Sequence, residues 1–234
     1  FPLESEMASL KKEGLLTRLG CQYHWFNDDY RDFDDFLNRL TSKKRKQIRR
    51  ERRKIEESGL SIQVLEGQEI SAAHWTTFYE FYCSTFKKKW GAPRFTEDFF
   101  QQLQSNLPDT AVLLLANDKD KIVAGAFALR GSDTLYGRHW GCADHYDNLH
   151  FELCYYRTIE FCIEKKLRRL DAGAQGEHKI ARGFVPIKTW SAHWLREKNF
   201  RSAVEQFLVQ ETKSIEGYFA NLENHSAFRS KDND

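Results

Sequence analysis

The chain of 234 residues lacks the features that mark membrane-spanning and disulfide-stapled proteins. Its best continuous apolar run, Ala111–Ala116, is far shorter than the roughly 18 residues that a membrane helix needs. Residues 1–20 carry charges throughout and have no apolar centre, so they do not resemble a secretory signal. The five cysteines are scattered and form no CxxC pair, which argues against a zinc ribbon or a disulfide framework. We therefore expect a reducing, cytoplasmic location and no integral membrane segment.

Aromatic residues are abundant, with 18 Phe, 9 Tyr and 6 Trp, so a large packed core is available. Apolar alternation and short apolar runs predict strands at residues 21–26, 61–66, 111–116, 122–130, 134–142, 167–172 and 185–194. Periodicity of 3.6 residues predicts helices at 32–58, from Ser71 to the break at Gly91, at 96–107, at 149–167 and at 199–222. Helices that alternate with strands in one sheet predict an α/β fold with a three-strand meander over 111–142. We expect an N-terminal arm at 1–20, one domain over 21–222 and a frayed tail at 223–234.

The net charge of +2 conceals one strongly basic segment. Residues 43–54 hold nine basic residues and one acid, so this window carries +8 and leaves −6 for the rest of the chain. Within the predicted helix 32–58, the spacing of Arg45, Arg49 and Arg52 places these three side chains on one face. We predict that this face binds a polyanion. The alternative is that the run is only a solvated face, as charge runs usually are.

Two further stretches carry candidate functional residues. Residues 173–193 hold three glycines beside Glu177, His178, Lys179 and Arg182. Packing alone rarely calls for so many ionisable groups in a short loop, although a surface loop with solvated charges is the alternative. On the third strand of the meander, period-2 alternation puts Gly137, His139 and Gly141 on one face, which predicts a trough around the imidazole. Alternatively, the glycines there only permit a bulge.

Four segments together resemble the FemAB-like group of GNAT-fold acyltransferases, often labelled peptidoglycan biosynthesis or recognition proteins. They are residues 41–50, 136–142, 149–156 and 173–184, and the likeness covers about 21–222. The resemblance implies a GNAT-like mixed central sheet flanked by helices. It also implies an N-acyltransferase that moves an acyl or aminoacyl group to an amine. Such proteins usually hold two GNAT-like halves, and a chain that begins with Phe1 is expected to be the second half of a longer protein.

The donor implied by the resemblance is acyl-CoA or aminoacyl-tRNA. Acetyl-CoA enzymes of this fold carry a glycine-rich turn whose amides hold the pyrophosphate at a helix N-terminus. Here residues 142–149 contain no glycine and carry Asp144 and Asp147, so binding of acetyl-CoA is expected to be weak or absent. FemAB relatives take an aminoacyl group from tRNA, and the basic helix would suit an RNA backbone.

Acyl transfer to an amine needs a base for the amine proton and donors for the oxyanion. We predict His178 as that base, oriented by Glu177, with His139 as a third catalytic residue in the same cavity. The predicted substrate-binding residues are Gln175, Gly176, Lys179, Arg182, Arg138, His193, Gly137 and Gly141. For each histidine taken alone, a structural, hydrogen-bonded role is the alternative.

Two other classes of function remain open at this stage. A non-catalytic module could bind RNA, a cell-wall precursor or an acidic lipid surface through residues 43–54. That alternative is favoured if Glu177 and His178 face bulk solvent, whereas an enzyme is favoured if they face a pocket. A metal site built on His150 and Cys154 is disfavoured, because zinc needs three or four ligands and a cysteine in an apolar helix usually belongs to the core. No metal is therefore predicted.

Overall fold

A computed structural model describes residues 1–88, 91–222 and 226–229. The chain forms two compact units. The larger comprises Trp25–Gly173 with Arg229, and the smaller comprises Phe1–His24 with Ala174–Phe228. Whether residues 21–222 fold as one independent domain stays a prediction.

The larger unit holds five neighbouring strands of mixed direction, in the order β2-β3-β4-β5-β6. Their bounds are Ser61–Glu66 for β2, Ala111–Asp118 for β3, Lys121–Arg130 for β4, Thr134–Cys142 for β5 and Arg169–Asp171 for β6. The first four are antiparallel to their neighbours, and β6 runs parallel to β5. The α/β fold and the meander over 111–142 are therefore confirmed.

Two aromatic-rich helices cover one face of these strands. They are α4, Ala72–Lys88, and α5, Glu97–Asn106. Trp75, Phe78, Phe100 and Phe127 stack and cross at ring-centroid distances of 5.5–6.1 Å in a fully buried cluster. The packing of these large side chains fixes the distance of α4 from β4 and β5. The predicted helix from Ser71 to Gly91 is observed as far as Lys88, and residues 89–90 lie outside the described part.

The segment predicted as one helix over 149–167 contains an irregular turn. It consists of α6, Leu149–Phe151, a π-helical turn at Glu152–Tyr156, and α7, Arg157–Glu164. Its apolar side chains are buried, as predicted, against β3, β4 and β5. A π-turn adds one residue to a helical turn and often marks a functional region. Here it accompanies a carboxylate, that of Glu152, which is only 2% exposed.

The predicted basic helix 32–58 is two helices, α2, Phe33–Arg39, and α3, Ser42–Glu57. The backbone of Leu40 is extended, with φ −83° and ψ 155°, and this conformation ends α2. Leu40 is itself fully buried, so packing of its side chain favours the extended backbone that separates the two helices. The Asp32 side chain accepts a hydrogen bond of 2.7 Å from the Asp35 amide and caps α2.

The smaller unit is an antiparallel strand pair with a long helix. Strand β1, Leu16–Phe26, pairs with β7, Val185–His193, from Leu16 opposite His193 to His24 opposite Val185. Helix α8, Lys198–Leu222, is joined to β1 by a bidentate ion pair of Arg18 with Glu211, at 2.6 and 2.7 Å. Only Leu208 and Leu222 of α8 are buried. This long helix therefore contributes little to a core.

Residues 1–20, predicted to be an arm, contain regular structure. Helix α1 spans Glu4–Lys12, and β1 begins at Leu16 rather than at the predicted Cys21. Met7, Leu16 and Leu19 are buried, which a loosely attached arm would not require. Of the predicted frayed tail, residues 223–225 and 230–234 lie outside the described part. Within it, the Arg229 amide donates a hydrogen bond to the Arg39 carbonyl at 3.1 Å.

Candidate functional site

A cavity lies where β5 and β6 part. The two parallel strands pair only from Thr134 opposite Arg169 to Tyr136 opposite Asp171. Beyond Tyr136, β5 has no pairing partner in the larger unit on that side, and the Thr85 hydroxyl of α4 donates to the Trp140 carbonyl at 3.0 Å. Ligands of α/β sheets gather at the carboxyl ends of strands, where neighbours diverge. A cavity of about 330 Å³ opens here, the His139 cavity, lined by Tyr82, Thr85, Phe86, Arg138, His139, Trp140 and His150.

A β-bulge shapes the cavity wall. Phe127 of β4 lies opposite His139, and the next residue, Ala128, lies opposite Gly137, so Arg138 is the extra residue of β5. A bulge interrupts the hydrogen-bonded ladder and re-aims side chains, and it recurs beside active sites. The sequence-based alternative, that the glycines permit a bulge, is thus what the strand contains.

The bulge overturns the predicted trough. Because one extra residue reverses the alternation of faces, Gly137 lies on the opposite face of the sheet from His139 and Gly141. Gly141 does share a face with His139, but a Cβ at that position would lie 2.3 Å from the Phe81 carbonyl oxygen. The space above Gly141 is therefore occupied by the backbone of α4. This glycine allows helix and strand to approach closely and leaves no room for a substrate.

His139 is half-buried among aromatic rings. Its ring centroid lies 4.8 Å from that of Tyr82 and 5.7 Å from that of Phe95. The Tyr82 hydroxyl accepts hydrogen bonds from the Arg94 and Phe95 amides at 3.0 and 3.2 Å, which ties the loop after α4 to this ring cluster. Burial, and secondly the nearby Arg138, lower the pKa of His139 below the ordinary value of 6.5. The imidazole is therefore neutral at neutral pH and able to accept a proton.

His150 lines the same cavity from α6. Its ring crosses that of Trp140 at a centroid distance of 5.4 Å. Sequence reasoning considered this histidine only as a metal ligand with Cys154. In the part of the chain that the structure describes, no three His, Cys, Asp or Glu side chains form a group that could hold a metal ion. Tyr82, Thr85, Phe86 and Trp140 were not predicted as site residues, because an aromatic helix looks like core until its exposed end is located.

The glycine-rich loop belongs to the smaller unit and forms a 3₁₀ turn at Glu177–Arg182. Gly176 has φ +100°, and a Cβ there would lie 2.4 Å from the His178 ring, so only glycine fits this backbone. Glu177 and His178 are both exposed, while Lys179 and Arg182 are buried. Burial, and then Arg182 and Lys179, lower the pKa of His178. Exposure of the two predicted catalytic residues weakens the case for them as the centre of the site.

Buried cations in this loop have local partners. The Arg182 guanidinium donates to the His178 carbonyl at 2.8 Å, which braces the turn. The Lys179 ammonium lies 5.4 Å from the centroid of the Tyr23 ring. Both side chains thus support the loop, and their predicted role in binding a phosphate or carboxylate stays a prediction.

A chain of hydroxyls that sequence reasoning missed lies beside the loop. The Tyr218 hydroxyl of α8 is hydrogen-bonded to both the Glu177 carboxylate and the Tyr23 hydroxyl. Since an ionised carboxylate only accepts, Tyr218 donates to Glu177, and Tyr23 donates to Tyr218. Burial, the Tyr23 hydroxyl and Glu177 raise the pKa of Tyr218, so it stays protonated. Glu177 thus has Tyr218 as a partner, whereas its predicted role was to orient His178.

The remaining predicted substrate-binding residues are scattered. Gln175 is exposed beside the loop, and Gly176 adopts the conformation described above. His193, at the end of β7, is exposed, and its Nε2 lies 2.8 Å from the Ser191 hydroxyl. Arg138 is exposed at the His139 cavity. The cavity therefore brings together Arg138 and His139 only. That His139 and His178 serve one cavity stays a prediction, because they lie in different units.

The three arginines predicted to form the polyanion face of α3 differ in exposure and in partners. Arg52 forms ion pairs with Glu160 at 2.6 Å and with Glu152 at 3.2 Å, and its side chain is 16% exposed. Arg49 pairs with Asp34 at 2.9 Å, and Arg45 lies 3.4 Å from the Asn38 side-chain oxygen. Arg49 and Arg52 thus have carboxylate partners on α2 and α7, but the Arg49 side chain is 51% exposed and only Arg52 is largely buried. Arg52 consequently holds the larger unit together and is a poor candidate for binding a polyanion.

Glu152 is the centre of a buried ionic cluster that the sequence did not reveal. Besides Arg52, it pairs with Arg157 at 2.9 Å, and Arg157 also reaches Glu160 at 3.1 Å. Burial raises the pKa of Glu152, while the two guanidiniums oppose that change. Two cations around one buried carboxylate are a structural arrangement that fails if either partner is removed.

Residues 1–230 match the model of the FemAB_like family, described as peptidoglycan biosynthesis/recognition. The chain belongs to the FemAB-like family. The resemblance predicted from the sequence is thus confirmed over nearly the whole chain. No curated protein matches it.

Solved structures share the fold of this FemAB-like chain. FemX is 11% identical with a TM-score of 0.60, and the match covers 86% of this chain and 71% of FemX. L-PGS from Bacillus licheniformis is 14% identical with a TM-score of 0.60, over 88% of this chain and 69% of L-PGS. The C-terminal domain of a putative lysylphosphatidylglycerol synthetase from Agrobacterium fabrum is 11% identical, with a TM-score of 0.55 over 90% and 69%. Within the described ranges, this chain has no helix with the length and apolar character to cross a membrane.

Proposed function

We propose that this FemAB-like chain transfers an aminoacyl or other acyl group to an amine, with His139 as the proton acceptor. The observation that carries the proposal is a half-buried imidazole, with a pKa lowered by burial, in a cavity on β5 beyond the point where β6 stops pairing with it. Family membership and the shared fold of FemX and L-PGS support it.

In the proposed reaction, the amine nitrogen attacks the acyl carbonyl carbon and passes its proton to the His139 ring. The bond to the leaving oxygen or sulfur then breaks, and the leaving group takes that proton. A base works best when its pKa lies near the working pH and it is unprotonated, as a histidine with a lowered pKa is. The bulge at Arg138 interrupts the strand ladder, and a backbone amide outside a ladder can stabilise the oxyanion.

An aminoacyl ester is the donor we favour over acetyl-CoA. The connection from β5 to α6 has no glycine, carries Asp144 and Asp147, and leads into a regular α-helix of only three residues. Such a connection offers few oriented amides for a pyrophosphate, and its carboxylates repel one.

The test is a donor screen on the purified chain. It is incubated with a pool of radiolabelled aminoacyl-tRNAs, or with acetyl-CoA, in the presence of simple amine acceptors, and transfer is counted. We expect transfer from the tRNA pool, and no micromolar acetyl-CoA affinity by calorimetry. Tight acetyl-CoA binding with acetyl transfer would overturn the choice of donor. Absence of transfer from every donor, in a chain that is folded by circular dichroism, would count against the enzyme.

A specific surface favours a second function, the binding of a polyanion. Five cations of α3 are exposed and make no ion pair with any described residue: Lys43, Lys46, Arg50, Arg53 and Lys54. Spacings of three, four and three residues put the first four on one helical face, which is adjacent to the face predicted from the sequence and distinct from it. Exposed, unneutralised cations release counterions from a phosphate backbone and give strongly salt-dependent binding.

Charge reversal distinguishes the two faces of α3. The triple variant Lys46→Glu, Arg50→Glu, Arg53→Glu should lose RNA binding in a filter assay at low salt, and the slope of affinity against salt should flatten. The matched control, Arg45→Glu with Arg49→Glu, should retain most of it. Equal loss in both variants would indicate nonspecific attraction, and no loss in either would leave the run a solvated face.

A further inference from the structure

The lining of the His139 cavity is aromatic. Tyr82, Phe86 and Trp140 contribute rings, and the imidazoles of His139 and His150 add two more. At about 330 Å³ the cavity lies at the small end of the range for ligand sites, which suits a group the size of one aromatic or branched side chain. Flat rings around a small volume favour a planar or apolar group over an extended polar one.

The permanent charge among the residues that line the His139 cavity is positive. Among the lining residues, Arg138 carries the only permanent charge, and none is Asp or Glu. The guanidinium is exposed, lies 5.3 Å from the centroid of the Tyr136 ring and forms no ion pair with a described residue. An arginine without a carboxylate partner, held over an aromatic ring, presents its planar set of donors to a ligand.

The bulge explains why this arginine lies at the cavity. Arg138 is the extra residue of β5 and lies between Gly137 and His139, which occupy opposite faces of the sheet. Bulged residues leave the regular alternation, so the strand can supply both His139 and Arg138 to one opening. A cationic ligand would meet like charge there, whereas an anionic one would meet a bidentate partner.

We propose that the His139 cavity binds an aromatic or branched apolar group that carries a carboxylate, and that it discriminates against the same group carrying an ammonium. Within the proposed function, on which this assignment depends, that group belongs to the part of the amine acceptor away from its reacting nitrogen, because the acyl portion of an aminoacyl ester has no free carboxylate. Binding itself requires no donor and no turnover, so it can be measured separately.

Three probes with one skeleton test the proposal: 3-phenylpropionate, 3-phenylpropan-1-ol and 3-phenylpropylamine. They are titrated into the intact chain while the ring proton signals of His139 and His150 are followed by NMR. We expect the carboxylate to bind at least tenfold more tightly than the alcohol, and the amine to bind most weakly. The variant Arg138→Gln should bring the carboxylate to the affinity of the alcohol, with the alcohol unchanged. Arg168→Gln, at an exposed arginine of the same unit outside the cavity lining, is the matched control and should change nothing.

Two results would overturn the proposal. If the amine binds as tightly as the carboxylate, the rings act as a cation-binding box, and Arg138 does not select the ligand. If none of the probes shifts the two histidine signals, the cavity does not take such groups at all. A chain that fails the donor screen but passes this test keeps the binding site without the enzyme. If the chain transfers acyl groups but binds the amine probe more tightly than the carboxylate, the proposed function stands and only the proposed class of ligand is wrong.

Discussion

His139 and His178 carry the same ring in unlike surroundings. In the larger unit, His139 is enclosed by aromatic side chains and lines a cavity. In the smaller unit, His178 is exposed on a turn whose buried arginine and lysine brace the backbone. The loop has the greater density of ionisable residues, yet the larger unit has the concave, aromatic-lined surface that is typical of a ligand site. A cluster of ionisable residues in the sequence can therefore indicate a turn that local contacts stabilise as well as a reaction centre.

The largest expected difference between His139 and His178 is in the rate constant for acyl transfer after substitution. In the donor screen, His139→Gln should lower the rate constant about 100-fold, since removal of a general base costs that much or more. His178→Gln, which the sequence alone predicted to be equally damaging, should lower it less than about tenfold. Thermal unfolding of both variants checks that the fold is retained. A 100-fold loss in His178→Gln with little loss in His139→Gln would reverse the comparison and restore the loop as the catalytic centre.

An added Cβ atom would meet different surroundings at Gly141 of the larger unit and at Gly217 of the smaller unit. Gly141→Ala should destabilise the chain by about 1–3 kcal/mol, as overpacking does, because its Cβ would meet the Phe81 carbonyl oxygen. Gly217 lies in α8 with no atom within 4 Å of an added Cβ, so Gly217→Ala should stabilise by roughly 0.5–1 kcal/mol. Urea unfolding measures both. A neutral Gly141→Ala would mean that α4 shifts readily and that the cavity wall is soft.

The smallest expected effect is the shift in the pKa of His139. His139 should titrate below 6.5, and because the neutral form is the one the fold favours, its contribution to stability is present above the unfolded pKa. That contribution is lost as the pH falls through the lowered folded pKa. The rate of acyl transfer should fall over the same acidic range, since protonated His139 cannot act as a base. NMR titration of His139 and His178 provides the values. A His139 pKa above the ordinary value would contradict its burial, and a rate that follows only His178 would assign the base to the loop.

Much of the fold could be predicted because the relevant signals are local. Alternation in 111–142 specified the meander, and 3.6-residue periodicity specified α5, which Thr96 caps by accepting a hydrogen bond from the Phe99 amide. The long motifs likewise identified the FemAB-like family. Only part of the site followed, namely Arg138 and His139, since Tyr82 and Phe86 come from a helix distant in sequence and His150 was considered only as a metal ligand.

The sequence by itself determined most of the strands and helices and the presence of a basic helix, because periodicity and composition act over a few residues, and its motifs carried the resemblance to the FemAB-like family. Tertiary structure alone decided which cations of that helix have carboxylate partners, since Asp34 and Glu160 pair with Arg49 and Arg52 only after the helices pack. It also decided that Gly137 and His139 lie on opposite faces. A bulge is a shift in the pairing register of two strands. The sequence of one strand does not specify which residue of its partner each position will oppose.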